Sequence, residues 1–223
     1  MSLANVLVLA DSAFPTGAFG HSFGLETAIA EGRATSQAGV RDWISSFVLD
    51  GLATLEGAAL VLALRDGRNL VGLDELVDAA LVADEVRAAN GQLARATLAA
   101  YSAMQLRSPE IDAYAEALAS GTAHGIHALA CGLGYSAAGI GWRDGLRAYL
   151  SSTVSALVSV ATRAIPIGQR AGLALLWELR GTIEEAAQRA ERAGSPDDLC
   201  TQAFACEIDA MRHATLDGRM FVS

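Results

Sequence analysis

The chain is predicted to be all-α, a single-domain helical bundle of about eight to ten helices. Apolar residues recur at the i, i+3, i+4 spacing of a helix face in most long segments, and alternating strand patterns are almost absent. Start and stop signals separate these segments, and the strong helix formers alanine, leucine and arginine dominate between them. Since no internal repeat or linker is visible, we expect one domain over residues 1–223, with a tail at 211–223 that is mobile in isolation.

The first long helix follows from Ile44, Phe47, Val48, Leu52 and Leu55, which share one helical face. The pattern continues to about residue 64 and stops at a turn cluster over 66–69. A second pattern restarts near residue 73, and an Asn-Gly pair at 90–91 is expected to interrupt it.

Proline and glycine position the later helices. Ser108 followed by Pro109 is an N-cap with proline at the first helical position, and Gly121 is the expected stop. Pro166 must end or kink the incoming helix of a helix-helix corner, and Gly168 frees the backbone before the next helix. A second Ser-Pro pair at 195–196 predicts that a final helix starts there and runs toward residue 211.

Composition excludes several classes of function. A net charge of -9 and a pI near 4.8 argue against binding to nucleic acid or anionic lipid. All cationic residues are arginine, so a Walker A lysine and a Schiff-base lysine are both excluded. Cys131, Cys200 and Cys206 do not form a zinc pattern and are expected to be small apolar residues. Although 52% of residues are hydrophobic, no run reaches the ~18 uncharged apolar residues of a spanning helix and no signal peptide is recognised, so we expect a cytoplasmic protein without a membrane partner.

Residues 14–26 support two interpretations. Gly20-His21-Ser22-Phe23-Gly24 matches the G-x-S-x-G nucleophile elbow, which makes a serine hydrolase with Ser22 as nucleophile the alternative function. Only 21 residues precede Ser22, too few for the earlier strands and oxyanion loop of such an enzyme. We therefore favour a Pro-Gly turn followed by a helix start, with no catalytic residue.

Two histidines raise the question of a metal site. His124 and His127 stand at i and i+3 and would share a helix face, as metal ligands on helices do. No third ligand is close in sequence, so we expect packing contacts, no metal site and no cofactor.

Several motifs together resemble the urease accessory protein UreF family. A Pro-x-Gly turn and a Ser-x-Gly-Leu-Glu helix start are matched by Phe14–Phe19 and Ser22–Glu26. An Arg-x-x-Pro-x-Gly-Gln corner is matched by Arg163–Gln169. The family's tail is similar to Met211–His213 followed by Arg219–Phe221. The matches occur in the family's order and span nearly the whole chain.

The resemblance implies a non-enzymatic accessory protein that is all-α, forms a homodimer and helps to assemble the nickel centre of urease. The implied partners are a UreD/UreH-like accessory protein, the GTPase UreG and, through that complex, apo-urease. Modulation of the GTPase is a further implied role. The residues that the motif matches assign to partner binding are Pro15, Gly17, Ser22, Gly24, Glu26, Arg163, Pro166, Gly168, Gln169, Arg212, His213, Arg219 and Phe221.

Overall fold

A computed structural model describes residues 3–223, so the first two residues of the predicted 1–223 domain lie outside the described range. Over that range the secondary structure is helical, without strands, which confirms the predicted fold class. The ten helices of the described residues are α1 Leu3–Leu9, α2 Leu25–Ala30, α3 Gln37–Asp66, α4 Leu70–Ala80, α5 Asp84–Ala103, α6 Pro109–Ser120, α7 His127–Ala137, α8 Trp142–Ala164, α9 Gly168–Ala190 and α10 Phe204–His213. Short 3₁₀ turns occur at Ala18–Gly20 and Pro196–Asp198.

Most helix ends follow the predicted signals. The Ser108 hydroxyl accepts a hydrogen bond from the Ile111 N–H at 3.2 Å and caps α6, and α6 ends at Gly121. Helix α8 ends before Pro166, and α9 begins at Gly168. The corner between these two long helices therefore lies where the proline predicts it.

Helix α3 contains an uncommon π-helical stretch, Phe47–Gly57, in its middle. It is the one helix of the described residues that is long and apolar enough to cross a membrane, judged by length and composition alone. However, 67% of its most apolar window is buried inside the protein, with α8 and α9 packed against it. Helix α3 therefore has the burial of a core helix.

Two predicted boundaries were wrong. The pair Asn90-Gly91 does not interrupt α5, which is continuous from Asp84 to Ala103, and the Asn90 side chain accepts a hydrogen bond from the His127 N–H, the first of α7, at 3.0 Å. The final helix begins at Phe204 rather than at Pro196. Between Pro196 and Phe204 the chain runs along α3, where the Gln202 N–H donates to the Asp50 carbonyl at 2.7 Å. This bond to α3 takes the place of a bond that a continuous helix would make.

Candidate functional site

Three segments that are distant in sequence meet at one place in the described chain. We call this place the tail junction: it comprises Gly20–Glu26, His213–Ser223, Glu85 of α5 and Arg163 at the end of α8. The N-terminal motif, the arginine of the corner motif and the C-terminal motif are thus neighbours. Sequence spacing could not show this proximity.

The carboxylate of Glu26 lies at the centre of the junction and is only 8% exposed. It accepts hydrogen bonds from the backbone N–H groups of Met220 at 2.7 Å and Phe221 at 3.1 Å. Its Oε2 atom also lies 2.9 Å from Nε2 of the fully buried His213. One side chain of α2 therefore fixes both the end of α10 and the chain that follows it.

A second carboxylate, Glu85, completes this network. Its Oε2 atom is 2.7 Å from His213 Nδ1, and its Oε1 atom accepts a hydrogen bond from Arg219 at 2.7 Å. The imidazole of His213 consequently bridges α2 and α5. The motifs did not indicate Glu85, because an acidic residue in the first turn of a helix is common and gives no recognisable signal.

Backbone hydrogen bonds hold the last residues of the chain. The N–H groups of Ser22 and Phe23 both donate to the Ser223 carbonyl, and the Val222 N–H donates to the Gly20 carbonyl at 2.8 Å. His21 Nδ1 is 2.9 Å from the Ser223 hydroxyl, and burial lowers the pKa of this histidine. Any mobility of the 211–223 tail, which stays a prediction, requires these bonds to break.

Gly24 explains how α2 can approach α10 so closely. Its φ is +96°, and a Cβ atom at this position would lie 2.5 Å from the Ala210 backbone nitrogen. An L-residue would be strained here and would also collide with α10. The glycine of the Ser-x-Gly-Leu-Glu motif is therefore required by packing.

Arg163 covers the tail from the side of α8. Its guanidinium lies 4.7 Å from the ring centroid of Phe221, which is a cation-π distance, and it donates to the Phe19 carbonyl. Phe221 is 5% exposed and Arg163 is exposed. The corner motif and the tail motif thus meet through this pair.

The remaining predicted residues lie elsewhere. Pro166, Gly168 and Gln169 are exposed at the corner, and no hydrogen bond among the described residues joins them to the tail junction. Arg212 is exposed and pairs with Glu31 at 3.3 Å. The last two predicted residues, Pro15 and Gly17, belong to the turn that precedes the junction.

The geometry does not support the hydrolase alternative. Ser22 is fully buried between a 3₁₀ turn and α2, with no strand before it in the described chain, and its hydroxyl has no hydrogen-bond partner there. Its backbone N–H is occupied by the tail, and both ring nitrogens of His213 face glutamates. The serine therefore lacks the general base that a nucleophile needs.

The prediction that His124 and His127 share a helix face was wrong. His124 lies in the loop before α7, with Nδ1 3.5 Å from Asp78, because its N–H and those of the next two residues bind Asp74. His127 is the first residue of α7, and its Nε2 is 3.3 Å from Cys131 Sγ. Among the described residues no group of three or more His, Cys, Asp or Glu side chains could hold a metal ion.

Sequence reasoning also missed a buried carboxylate behind α10, which an exposed arginine pairs with. Arg33 forms a salt bridge to Asp209, which is 2% exposed, and the Trp43 indole N–H donates to the same carboxylate at 2.8 Å. An aspartate in a short amphipathic helix gives no signal of such a role. This network fixes the face of α10 opposite to solvent.

The solvent side of the junction carries several apolar side chains. Phe19, Met220 and Val222 are each about 60% exposed. On α10, the side chains of Phe204, Ile208 and Met211 are also exposed at the i, i+4, i+7 spacing of one helical stripe. A surface of this composition is typical of an interaction site. We call these six residues the junction surface.

Comparison with known proteins identifies the family. The UreF family model matches residues 34–180 of the chain. The urease accessory protein UreF of Arthrobacter sp. (strain FB24) is 35% identical over 215 residues, which cover 96% of this chain and 94% of the relative. The proteins of the same description from Corynebacterium glutamicum (strain R) and Bacillus sp. (strain TB-90) are 34% and 33% identical, and the alignments cover 98% and 99% of this chain and 96% and 99% of the relatives. The chain therefore belongs to the UreF family of urease accessory proteins.

Proposed function

We propose that this protein is a non-enzymatic chaperone of urease maturation that binds a UreD/UreH-like partner through the junction surface. The complex then recruits the GTPase UreG, and nickel reaches apo-urease through that assembly. The observation that carries the proposal is the convergence of three family motifs at the tail junction, where Phe19, Met220 and Val222 are exposed. Motifs that only start or end separate helices would not need to contact one another in the folded chain.

The chemistry of the junction surface fits a protein partner. Its apolar side chains are bordered by Arg163, Arg212 and Arg219, although the chain as a whole carries a net charge of -9. Arginine and large apolar residues are enriched at binding hot spots, and Met side chains adapt to a partner's shape. The partner is expected to offer an apolar groove with acidic groups at its rim.

The burial of Glu26, His213 and Phe221 gives these residues a different role from direct contact. They hold the tail so that Met220 and Val222 are presented to solvent. Direct docking of the His213 and Phe221 side chains would first require release of the tail. We therefore assign direct contact to the exposed residues and positioning to the buried ones.

The GTP chemistry of the assembly belongs to the partner. The chain has no lysine for a phosphate-binding loop, so a role toward UreG is limited to binding or to modulation of its GTPase activity. Gln169 is the exposed polar residue of the corner motif that remains available for such a contact, because Arg163 already packs on Phe221 and donates to the Phe19 carbonyl. Neither a nucleic acid nor a membrane is expected as a partner, and the proposed compartment is the cytoplasm.

A homodimer is proposed through a second exposed apolar patch on α9. Leu173 and Trp177 are 70% and 68% exposed and stand one turn apart on this helix. A second copy of the chain could bury them both by two-fold packing of α9. Sedimentation at micromolar concentration is expected to show a dimer for the natural sequence and a monomer for Trp177→Asp. A monomeric natural protein would contradict this part of the proposal.

Co-expression with the candidate UreD/UreH-like protein and UreG, followed by a pull-down with and without GTP, tests the central assignment. We expect the natural chain to retain both partners and a chain truncated after Ala210 to retain neither. Because the truncation removes His213 and its network, Met220→Asp is the second variant, which changes only an exposed side chain. Unchanged retention of the UreD/UreH-like protein by both variants would overturn the assignment.

A further inference from the structure

A cavity of about 370 Å³ lies inside the bundle, between α3, α5, α7 and α8 and beneath residues 9–19. Asp11 and Ser12 of its lining are exposed, so the cavity opens to solvent at this side. Its volume falls in the range of small-ligand sites, which start at about 300 Å³. The tail junction does not account for it.

Aromatic side chains dominate the wall of this cavity. Seven of the ten phenylalanine and tyrosine residues of the chain line it, among them Phe14, Phe47, Tyr101 and Tyr149. Only 6% of the sequence is aromatic, so this concentration is far above what the composition alone would place there. Aromatic faces attract cations through their quadrupole.

One carboxylate, Glu56, stands among these rings. It lies in the π-helical stretch of α3, is 8% exposed, and forms no salt bridge within residues 3–223. No arginine lines the cavity, and burial lowers the pKa of its histidine, His127, to about 4, so that ring is neutral at pH 7. The formal charges of the lining are therefore those of Glu56 and Asp11, both acidic.

We propose that this cavity is a binding site for a small organic cation, an alkylammonium or quaternary ammonium compound, with Glu56 as counter-ion and the aromatic side chains as its cage. This proposal goes beyond partner binding in urease maturation. A metal ion fits less well, because no group of three or more metal-ligating side chains is present among the described residues. Hydroxyl groups of α8, including Ser152 and Ser159, can bind a polar substituent of the ligand.

The state of Glu56 gives the site a pH dependence. Burial raises the pKa of Glu56 to about 7, against hydrogen bonding from Asn90 and Tyr149 and together with repulsion from Glu207. Between pH 6 and pH 8 its ionised fraction rises from about 0.09 to about 0.91, so affinity for a cation should rise about tenfold. The other titratable groups around it, from the N-terminal segment, α5, α7, α8 and α10, are Asp11, Tyr101, His127, Cys131, Tyr135, Tyr149, Cys206 and Glu207.

Most of these neighbours keep one charge state over this pH range. Burial raises the pKa of Cys131 to about 12 and raises the pKa of Tyr149 well above 10, so both stay neutral. Glu207 is the exception to test, because burial raises its pKa as well. A Glu207→Gln variant should keep the tenfold change, whereas Glu56→Gln should lose it.

Isothermal titration with choline and with its neutral isostere 3,3-dimethylbutan-1-ol tests the proposal on the full chain. At pH 8 we expect choline to bind at least tenfold more tightly than the alcohol, and Glu56→Gln to reduce choline affinity at least tenfold. Glu116→Gln, an exposed glutamate on α6, is the matched control and should bind as the natural chain does. Glu56→Gln removes only a buried charge, so it should fold.

Three results would overturn the proposal. The first is equal affinity for choline and the alcohol, and the second is unchanged choline binding in folded Glu56→Gln. The third is the absence of choline binding up to a concentration of about 10 mM, ten times the dissociation constant of a 1 mM site. Circular dichroism of each variant shows whether the helical fold is intact.

Discussion

Replacing Glu26 with glutamine should release the tail without unfolding the bundle. The natural carboxylate accepts from two backbone N–H groups and faces a ring nitrogen of His213. Glutamine has nearly the same size, but it offers one acceptor oxygen and turns an NH₂ group toward the other donors. At least one buried donor then loses its partner, and the remaining hydrogen bonds no longer involve a charge.

The expected loss of local stability follows from the number of hydrogen bonds that the substitution changes. A hydrogen bond to a charged group contributes about 1.5–3 kcal/mol, so loss of one bond and weakening of the others should cost about 2–3 kcal/mol of local stability. This free energy corresponds to an increase of about 30- to 150-fold in opening of the tail. The core helices do not share these bonds and should keep their stability.

Hydrogen exchange followed by mass spectrometry measures this opening directly. We expect the amides of residues 220–223 and of Ser22 and Phe23 to exchange at least 30-fold faster in Glu26→Gln, while those of α7 are unchanged. Glu116→Gln provides a control of the same chemistry on an exposed site. Equal exchange rates in the natural chain and in Glu26→Gln would show that this carboxylate does not hold the tail.

Two further predictions concern stability. Gly24→Ala should lower the free energy of unfolding in urea by about 2–4 kcal/mol, because φ is +96° and the new Cβ would collide with Ala210. Gly67→Ala is the control: φ is +62° but the space around it is open, so the cost should be only about 1 kcal/mol. Equal costs for the two variants would contradict the packing role of Gly24. The folded-state pKa of Glu56, about 7, lies above its ordinary 4.5, so its stabilising contribution is complete below pH 4.5 and is lost as pH rises through 7. Glu56→Gln should therefore be more stable than the natural chain by about 3 kcal/mol at pH 8 and by little at pH 4.5. A difference in stability that does not change with pH would contradict the burial of a charged Glu56 at high pH.

Local signals in the sequence predicted most of the fold. The helix ends at three places were predictable because they depend on the backbone geometry of neighbouring residues alone. These places are Ser108 with Pro109, Gly121, and the corner from Pro166 to Gly168. The start of α10 was wrong because contacts with α3, distant in sequence, decide it. Tertiary hydrogen bonds overrode a valid start signal at Ser195, which caps a single turn.

The candidate site was predictable only in its parts. Motif matches named Glu26, Arg163 and the tail residues, but not their proximity. Glu85 could not be found, since its role depends on His213, 128 residues away, and an acidic residue in the first turn of a helix is commonplace. The same limitation applies to Glu56, whose surrounding rings come from four helices and the N-terminal segment.

The affinity between the purified chain and its UreD/UreH-like partner tests the central claim most directly. Substitution of Met220 and Val222 by aspartate alters two exposed side chains of the junction surface and should weaken binding at least 100-fold, since hot-spot losses of about 2 kcal/mol or more are expected at each. Met104→Asp is the control, because it also changes an exposed apolar side chain and lies about 28 Å from Glu85 at the other end of α5. This variant should bind the partner as tightly as the natural chain does. Equal affinities for the natural chain and the double variant would contradict the assignment of this surface.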